Sequence, residues 1–241
     1  IWTPENRRGS YINGFYEPAN TFNSYTTNAA AYISEEFKIA EKLKAILGVR
    51  FEKFDLFYTG QNNLGDVVFD EEQILDQADF FPSANFIYSL NEDSNLRLSY
   101  SKTTARPSFK EASIAQIYDP LANRTFIGNI NIQPTYVDNL DLRYELYSDD
   151  AQFFAVSTFY KMFSDPIELS VFSDFSADNF QPRNVNDARV VGAEIELRKN
   201  FGFITEGLKK LDLNLNVSVI DSQVEMDRSP SGEYESRQRN L

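Results

Sequence analysis

The sequence predicts an all-β protein, namely an antiparallel segment of a transmembrane β-barrel, and three observations support this fold class. Apolar and polar residues alternate with a period of two over eight segments of the chain. The links between these segments are short and long in turn. The longest uninterrupted apolar run, residues 29–33, is far shorter than the roughly 20 residues of a membrane-spanning helix. Strands are therefore the expected means of crossing a membrane.

The first predicted hairpin comprises strands 28–38 and 42–55, joined by a tight turn near Ala40 and Glu41. Residues 34–47 also place Glu and Lys at helical spacing, so that local propensity favours an amphipathic helix. However, an alternating apolar face runs from Leu43 to Phe51 and passes through Gly48 without a break. We therefore predict strands here.

Six further strands are predicted from the same alternation. The pattern is clearest in the last strand, where the odd-numbered residues from Leu211 to Val219 are apolar and the residues between them are polar. In the segment 152–160 both faces are apolar or aromatic, which leaves the orientation of that strand open. The six predicted strands are 80–90, 95–104, 138–148, 151–161, 188–199 and 209–220.

The lengths of the links favour a membrane barrel over a soluble sheet. Short links are expected at 39–41, 91–94, 149–150 and 200–208, and long polar loops at 56–79, 105–137 and 162–187. Transmembrane barrels have short turns at one end and long loops at the other. Loops longer than about 15 residues are uncommon in compact soluble domains.

The polar faces of the predicted strands carry full charges, among them Arg97, Arg143, Glu145 and Glu196. Burying such groups without partners costs several kcal/mol each, whereas a water-filled lumen keeps them hydrated. Aromatic residues near the strand ends fit two interpretations equally, interfacial girdles or ordinary core packing. These residues are Phe51, Phe54, Phe57, Tyr58, Phe80, Phe81, Phe159 and Tyr160.

The composition excludes several classes of chemistry. The 241 residues include no Cys and no His, and 36 Asp+Glu exceed 23 Lys+Arg, for a formal net charge of -13. Without Cys there is no disulfide, thiolate metal site or Cys nucleophile, and without His the commonest general base is missing. An acidic chain does not suit a nucleic-acid partner. We expect neither an enzyme nor a bound cofactor or metal.

Several stretches resemble the barrel of TonB-dependent outer-membrane receptors. Residues 96–109 read LRLSYSKTTARPSF, which is similar to the family's Ser-Tyr-Ser strand followed by Ala-Arg-Pro-Ser-Phe and an acidic residue, here Glu111 after Lys110. Residues 128–134 depart from the family's pattern, because Ile130 replaces a Pro. The resemblance covers about residues 28–241, and further matching stretches are 139–145, 159–161, 165–167 and 191–196. The most similar group has a carboxypeptidase-regulatory-like N-terminal domain.

This resemblance implies a receptor for energy-coupled uptake of a scarce ligand such as a siderophore, cofactor or glycan. It implies the outer membrane of a Gram-negative bacterium as location, with outer-membrane lipid, a nutrient ligand and a periplasmic TonB energy-transducing protein as partners. Such barrels close with about 22 strands, so residues 1–241 are expected to be part of a single barrel domain. The plug domain and the remaining strands would then lie outside this sequence.

Three groups of residues are candidates for binding. Tyr118, Arg124 and Phe126 in the loop 105–137 are predicted to contact ligand, since aromatic and guanidinium groups commonly anchor partners; packing within the loop is the alternative. Glu194 and Glu196 lie two residues apart on one strand face, a spacing that could suit paired acid–base chemistry, but a row of solvated charges facing the lumen explains them without any chemistry. The first long loop holds a run of acids that could bind a hard cation, although a solvated acidic loop is preferred. These acids are Asp66, Asp70, Glu71, Glu72, Asp76 and Asp79.

Two other functional classes remain open at this point. Eight strands can close a small membrane barrel with a filled interior, which would act as an adhesin or structural protein. A soluble β-sandwich that binds carbohydrate is the third possibility, provided that the charged faces are solvent-exposed outer faces. The long loops argue against the small barrel.

Overall fold

A computed structural model describes residues 16–148, 152–172, 179–202, 204–228 and 233–239. These residues form thirteen strands and two short 3-10 helices, Pro18–Asn20 and Glu206–Leu208. Neither helix is long and apolar enough to cross a membrane. The strands are β1 (Asn23–Ala40), β2 (Leu43–Gln61), β3 (Val68–Ser89), β4 (Ser94–Ala105), β5 (Gln116–Asp119), β6 (Arg124–Ile127), β7 (Thr135–Ser148), β8 (Gln152–Ser164), β9 (Ile167–Phe172), β10 (Asn179–Asn184), β11 (Asp187–Asn200), β12 (Asp212–Arg228) and β13 (Glu233–Arg239).

Nine of these strands form one antiparallel sheet in the order β1-β2-β3-β4-β7-β8-β11-β12-β13. The other four come from the two long loops and form a second sheet, in the order β5-β6-β10-β9. Within the described residues, β1 pairs in the large sheet with β2 alone and β13 with β12 alone. The large sheet is therefore an open arc with an unpaired edge on each side. The prediction of an all-β, antiparallel fold is confirmed.

The large sheet has a turn end and a loop end. At the turn end, residues 41–42, 90–93 and 201–211 connect neighbouring strands directly. At the loop end, residues 62–67, 106–134 and 165–186 connect them, and the second and third of these links are long. The predicted turn at 149–150 lies outside the described residues. The predicted long links are therefore present at 106–134 and 165–186 but not at 62–67, which is shorter than the turn-end link 201–211.

All eight predicted strands are present, including the first hairpin. Strands β1 and β2 pair from Lys38 opposite Lys44 to Asn23 opposite Thr59. Cross-strand contacts thus override the helical propensity of residues 34–47. The predicted loop 56–79 is wrong, because β2 continues to Gln61 and β3 begins at Val68. The other two long loops were expected to lack strands, yet they contain β5, β6, β9 and β10.

The outer face of the large sheet is apolar over a band that starts at the turn end. In β2 this band runs from Leu43 to Phe51, about 26 Å along a strand at roughly 3.3 Å per residue. These nine residues match the 9–11 residues of a membrane strand. Exposed apolar side chains continue the band across the neighbouring strands, namely Phe86, Leu98, Leu142, Ile195, Val217 and Val219.

Beyond Phe51 the two faces of β2 exchange character. Lys53 and Asp55 stand on the outer face, whereas Phe54, Leu56 and Tyr58 on the inner face are buried. Because residues two apart share a face, the outer apolar band ends between Phe51 and Lys53. From there to the loop end, the inner face of the sheet provides the hydrophobic core.

A loop cap covers this inner core; it consists of the described residues 106–134, 165–172 and 179–186. The main hydrophobic cluster joins Phe54, Leu56 and Leu75 of the sheet to Ala112 and Ile132 of the cap. This cluster fastens the first of the two loops to the sheet wall.

Direct hydrogen bonds tie the two halves of the cap together. Gln133 N donates to Asn184 Oδ1 at 2.8 Å, and Asn184 Nδ2 donates back to the Gln133 carbonyl at 2.8 Å. Asn129 Nδ2 donates to the Pro182 carbonyl, and β6 pairs in parallel with β10. The cap is therefore a layer built from both loops.

Candidate functional site

The inner face near the turn end carries an ion-pair cluster that spans β4, β7 and β11. Glu145 accepts from Arg97 at 3.1 Å and from Arg143 at 3.0 Å, and Arg143 also reaches Glu196 at 2.9 Å. The Glu145 side chain is only 8% exposed. Two cations therefore compensate one nearly buried carboxylate, as the cost of burying an unpaired charge requires.

A second cluster marks the junction between the inner face and the cap. Glu52 lies between Arg50, whose Nη2 is 2.7 Å from Oε2, and Arg106, whose Nη1 is 2.5 Å from Oε1. The Arg106 guanidinium also stacks on Phe54, 4.1 Å from the ring centroid. Strand β4 ends at Ala105, and Arg106, the first residue of the cap, fastens the cap to β2 through its ion pair with Glu52.

A cavity of about 440 Å³ lies between the cap and the inner face of β8, β11 and β12. Ala188 lies between Phe163 and Val224 on the neighbouring strands, and these three side chains form the floor of the cavity. Pro166 and Ile167 of the cap lie opposite. Its charged lining residues are Arg106, Glu111, Glu168 and Arg189. A concave, mostly apolar space of this size, with a few charged groups, is typical of small-molecule sites.

The three predicted ligand residues lie in the second sheet, on two faces of one hairpin. Arg124 and Phe126 alternate on β6 and share a face, whereas Tyr118 of β5 pairs with Thr125 on the other face. All three side chains make contacts with other residues of the cap. Tyr118 Oη donates to Asn123, Arg124 lies 4.8 Å from the Phe180 ring, and Lys110 Nζ is 4.1 Å from the Phe126 ring. Their contact with ligand stays a prediction.

The acidic residues predicted for the first loop are dispersed along β3 and its preceding turn. Asp76 pairs with Lys53, and Asp79 accepts from Tyr136 Oη at 2.9 Å. Asp66 accepts from Asn62 Nδ2 at 2.5 Å. Across the described residues, no three carboxylates are grouped so that they could hold a metal ion.

The predicted carboxylate pair on β11 lies on the inner face, and its members have different partners. Glu196 accepts from Arg143 at 2.9 Å in the ion-pair cluster. Glu194 accepts from Ser218 Oγ at 3.3 Å. Both carboxylates therefore take part in the polar inner wall.

The aromatic residues near the strand ends divide between the two interpretations. Phe51 and Phe80 are exposed on the outer face at the border of the apolar band, with ring centroids 5.1 Å apart, which fits an interfacial position. Phe54 and Tyr58 are buried under the cap instead. The ring of Phe159 packs over Gly192, where an added Cβ would come within 2.4 Å of it.

Two ionisable groups beyond the apolar band have shifted pKa values. Burial raises the pKa of the Tyr58 hydroxyl, which the backbone N–H of Ile114 approaches at 3.5 Å. On the outer face, the hydrogen bond from Lys53 lowers the pKa of the Asp55 carboxyl. Tyr58 thus favours its neutral form under the cap, and Asp55 keeps its charge.

The arrangement of faces, turns and cap agrees with the comparison with known families. Residues 2–237 match the family model described as TonB dependent receptor-like, beta-barrel. The chain belongs to this family. Curated proteins provide no match to this TonB-dependent receptor segment.

Solved structures of receptors and transporters share the fold at low sequence identity. The alcaligin outer-membrane receptor FauA of Bordetella pertussis is 16% identical with a TM-score of 0.55, over 91% of this chain and 32% of that one. The FrpB iron transporter of Neisseria meningitidis (F3-3 variant) is 14% identical with a TM-score of 0.58, over 86% and 27%. The ferric citrate transporter FecA is 16% identical with a TM-score of 0.60, over 84% and 27%. This TonB-dependent receptor segment spans about a third or less of these proteins.

Proposed function

We propose that the protein is an outer-membrane receptor that takes up a scarce ligand by TonB-dependent transport. The ligand class is a siderophore, cofactor or glycan. In this proposal residues 1–241 contribute one arc of a larger barrel, and the plug domain and remaining strands belong to the rest of the receptor. The partners are outer-membrane lipid, the nutrient ligand and the periplasmic TonB protein, in a Gram-negative bacterium.

The observation that carries this proposal is the exchange of faces in β2. An apolar outer band of membrane height, bordered by Phe51 and Phe80, suits lipid contact. The charged inner face, with Glu145 and Arg143, suits a hydrated lumen. The cap at the loop end would then stand at the extracellular entrance, where a receptor meets its ligand.

The two alternative functions fit these features less well. A closed eight-stranded barrel has no free edges, whereas the described part of the large sheet has nine strands and two unpaired edges. In a soluble sandwich the apolar face would be covered by a second sheet. Here Ala112 and Ile132 of the cap cover the inner face near the loop end, and the outer apolar band is exposed.

The experiment that tests the proposal combines localisation with uptake. The full-length protein is expected in outer-membrane fractions, with a gel mobility that shifts on heating in detergent. A deletion strain is expected to lose growth on one defined iron, vitamin or glycan source, and a strain without TonB should show the same loss. Recovery of the full-length protein as a soluble cytoplasmic protein would contradict the proposal, as would unimpaired growth and uptake on every source.

A further inference from the structure

The turns that join the strands of the large sheet lie at one level of the wall. The pairing register connects Leu43, next to the first turn, with Ile195 of β11 through Tyr88, Leu96, Tyr144 and Val156. Leu43 lies one residue from its turn, whereas Ile195 lies six residues from the turn that begins at Phe201. This drift of about one residue per strand corresponds to strands tilted by about 35°, as in membrane barrels. The turn after β11 is therefore level with the first turn, where the outer apolar band begins.

The turn after β11, residues 201–211, is the longest of the three described turns, and we call it the basic turn. Its backbone is held by hydrogen bonds. Phe201 N–H donates to the Leu211 carbonyl at 3.0 Å, and Lys209 N–H donates to the Glu206 carbonyl at 3.1 Å. Asn200 Nδ2 also donates to the Lys209 carbonyl at 2.8 Å. The fold of the turn therefore fixes the backbone that carries its lysines.

The basic turn carries positive charge in a chain whose formal net charge is -13. Lys209 and Lys210 are exposed, and neither of them forms an ion pair within the described part of the chain. Glu206 is the single acid of this turn. The turn 90–93 at the same level has two acids and no cation. The positive charge is therefore a local property of the basic turn and leaves two lysines available for an anion.

The outer side of the basic turn joins this charge to apolar surface. Ile204 and Leu211 are 59% and 51% exposed, and Leu213 continues the outer apolar band along β12. Lys199 pairs with Leu213 and stands on the same face, whereas Asp212 lies on the opposite face. Basic side chains next to exposed apolar residues are typical of the border between membrane and water, where the stem stays in the apolar layer and the charge reaches the headgroups.

We propose that the basic turn binds an anionic glycerophospholipid of the periplasmic leaflet. Lys209 and Lys210 bind the headgroup phosphate, and Ile204 and Leu211 contact the acyl chains. A lipid fits better than a free phosphate, because a free phosphate would leave both apolar side chains in water. The inference rests on the proposed function in one respect, because that function places the turn end of the sheet at the periplasmic leaflet of the outer membrane.

The direct test measures lipid binding to the purified full-length receptor in detergent micelles by native mass spectrometry. Phosphatidylglycerol is the anionic probe, and zwitterionic phosphatidylcholine with the same acyl chains is the comparison. At least one phosphatidylglycerol per receptor is expected to bind about tenfold more tightly than phosphatidylcholine, because the lysines attract its net negative charge.

Three double variants separate the site from the overall charge. Lys209→Gln/Lys210→Gln should weaken phosphatidylglycerol binding about 30-fold, since each basic residue at an anionic lipid surface contributes about fivefold. Lys209→Arg/Lys210→Arg keeps the charge and should bind like the wild type. Lys38→Gln/Lys44→Gln is the matched control, because it removes the same charge from two paired residues on the inner face at the same end of the sheet. A heat-dependent gel shift confirms that each variant is folded.

Two further measurements address the apolar contact and the free anion. Ile204→Ser should weaken the binding of both lipids by a similar factor, about threefold or more. Inorganic phosphate at millimolar concentration should not displace phosphatidylglycerol.

Four outcomes would overturn the inference. These are equal affinity of the two lipids for the wild type, unchanged phosphatidylglycerol binding in folded Lys209→Gln/Lys210→Gln, an equal loss in the inner-face control, and displacement of the lipid by inorganic phosphate. The import proposal is judged separately by localisation, growth and uptake. Loss of growth in the deletion strain without any preference for phosphatidylglycerol contradicts only this lipid site, whereas normal growth and uptake on every source contradict import even where the lipid binds.

Discussion

Replacing Leu56 by Ala should loosen the cap without altering the apolar outer band. Leu56 is 1% exposed and lies in the cluster that joins the inner face to Ala112 and Ile132. The truncation removes three buried carbon atoms and leaves a space between two layers that belong to different parts of the fold. The cap is expected to open more often, while the strands below Phe51 stay paired.

The size of the effect follows from the depth of burial. Leu→Ala at fully buried positions costs about 2–5 kcal/mol. If about 3 kcal/mol of this cost destabilises the closed cap, the equilibrium shifts about 100-fold towards the open cap, since 1.4 kcal/mol corresponds to a factor of ten. Amide groups that exchange only when the cap opens should exchange faster by the same factor.

Hydrogen–deuterium exchange of the full-length receptor in detergent micelles measures this change. The diagnostic amides are Gly128 N–H, which donates to the Ala115 carbonyl at 2.8 Å, and Asn129 N–H, which donates to the Glu111 carbonyl at 2.8 Å. Peptides that contain these amides should lose protection in the variant. Peptides from the turn end of the sheet should not change.

Leu47→Ala is the matched control, because it makes the same truncation on the outer face of the same strand, where Leu47 is 42% exposed. It should leave exchange in the cap at the wild-type rate. Equal exchange rates for both variants at Gly128 and Asn129 would refute the reasoning, since the cap would then be held by something other than the buried cluster.

Three further predictions concern the wall of the sheet. Glu145→Ala should destabilise the folded barrel by about 3 kcal/mol, because two guanidiniums lose their nearly buried partner. The measurement is the midpoint temperature of the heat-induced gel shift, which should fall. Glu194→Ala is the control and should have little effect on this midpoint. Gly192→Ala should lower the same midpoint, because the new Cβ meets the Phe159 ring. Burial raises the pKa of Tyr58, so its neutral form stabilises the cap below about pH 10, and this stabilisation is lost as pH rises through the folded pKa. Amide hydrogen exchange in the cap, corrected for the intrinsic exchange rate, should therefore accelerate in that pH range.

For each of these three predictions a specific experimental result would contradict the reasoning. Similar midpoints for Glu145→Ala and Glu194→Ala would show that the ion-pair cluster contributes nothing to stability. A wild-type midpoint for Gly192→Ala would show that the Phe159 ring moves aside freely. Tyr58→Phe should remove the alkaline acceleration of cap exchange, and its persistence in that variant would assign the acceleration to another group.

The strands of the sheet were predictable because one physical rule governs them over the apolar band. In β2 the residues from Leu43 to Phe51 alternate, and this pattern correctly outweighed the helical propensity of residues 34–47. The rule failed beyond Phe51, where the apolar residues move to the inner face at Phe54 and Leu56. A search for one continuous apolar face stops at this exchange and assigns a loop, which explains the error at 56–79.

The architecture of the cap and its cavity was not predictable from local patterns. Strands β6 and β10 are four to six residues long, and their pairing joins Phe126 to Phe180 across more than fifty residues of sequence. Arg106 likewise carries no local signal of its bond to Glu52, which lies on another strand. The aromatic and guanidinium groups of the loop 105–137 led only to a prediction of ligand contacts, and no local pattern indicated that this loop forms strands and packs on the inner face.

The parallel pairing of β6 with β10 has a consequence for how such receptors can diverge. Asn184 and Gln133 hold each other through two hydrogen bonds, so each loop supplies part of the other's backbone partners. A change of length or sequence in one loop is then tolerated only together with a compensating change in its companion. The two loops therefore depend on each other for their structure. Transplanting one of them alone into a relative should yield a misassembled cap, whereas transplanting both should preserve it.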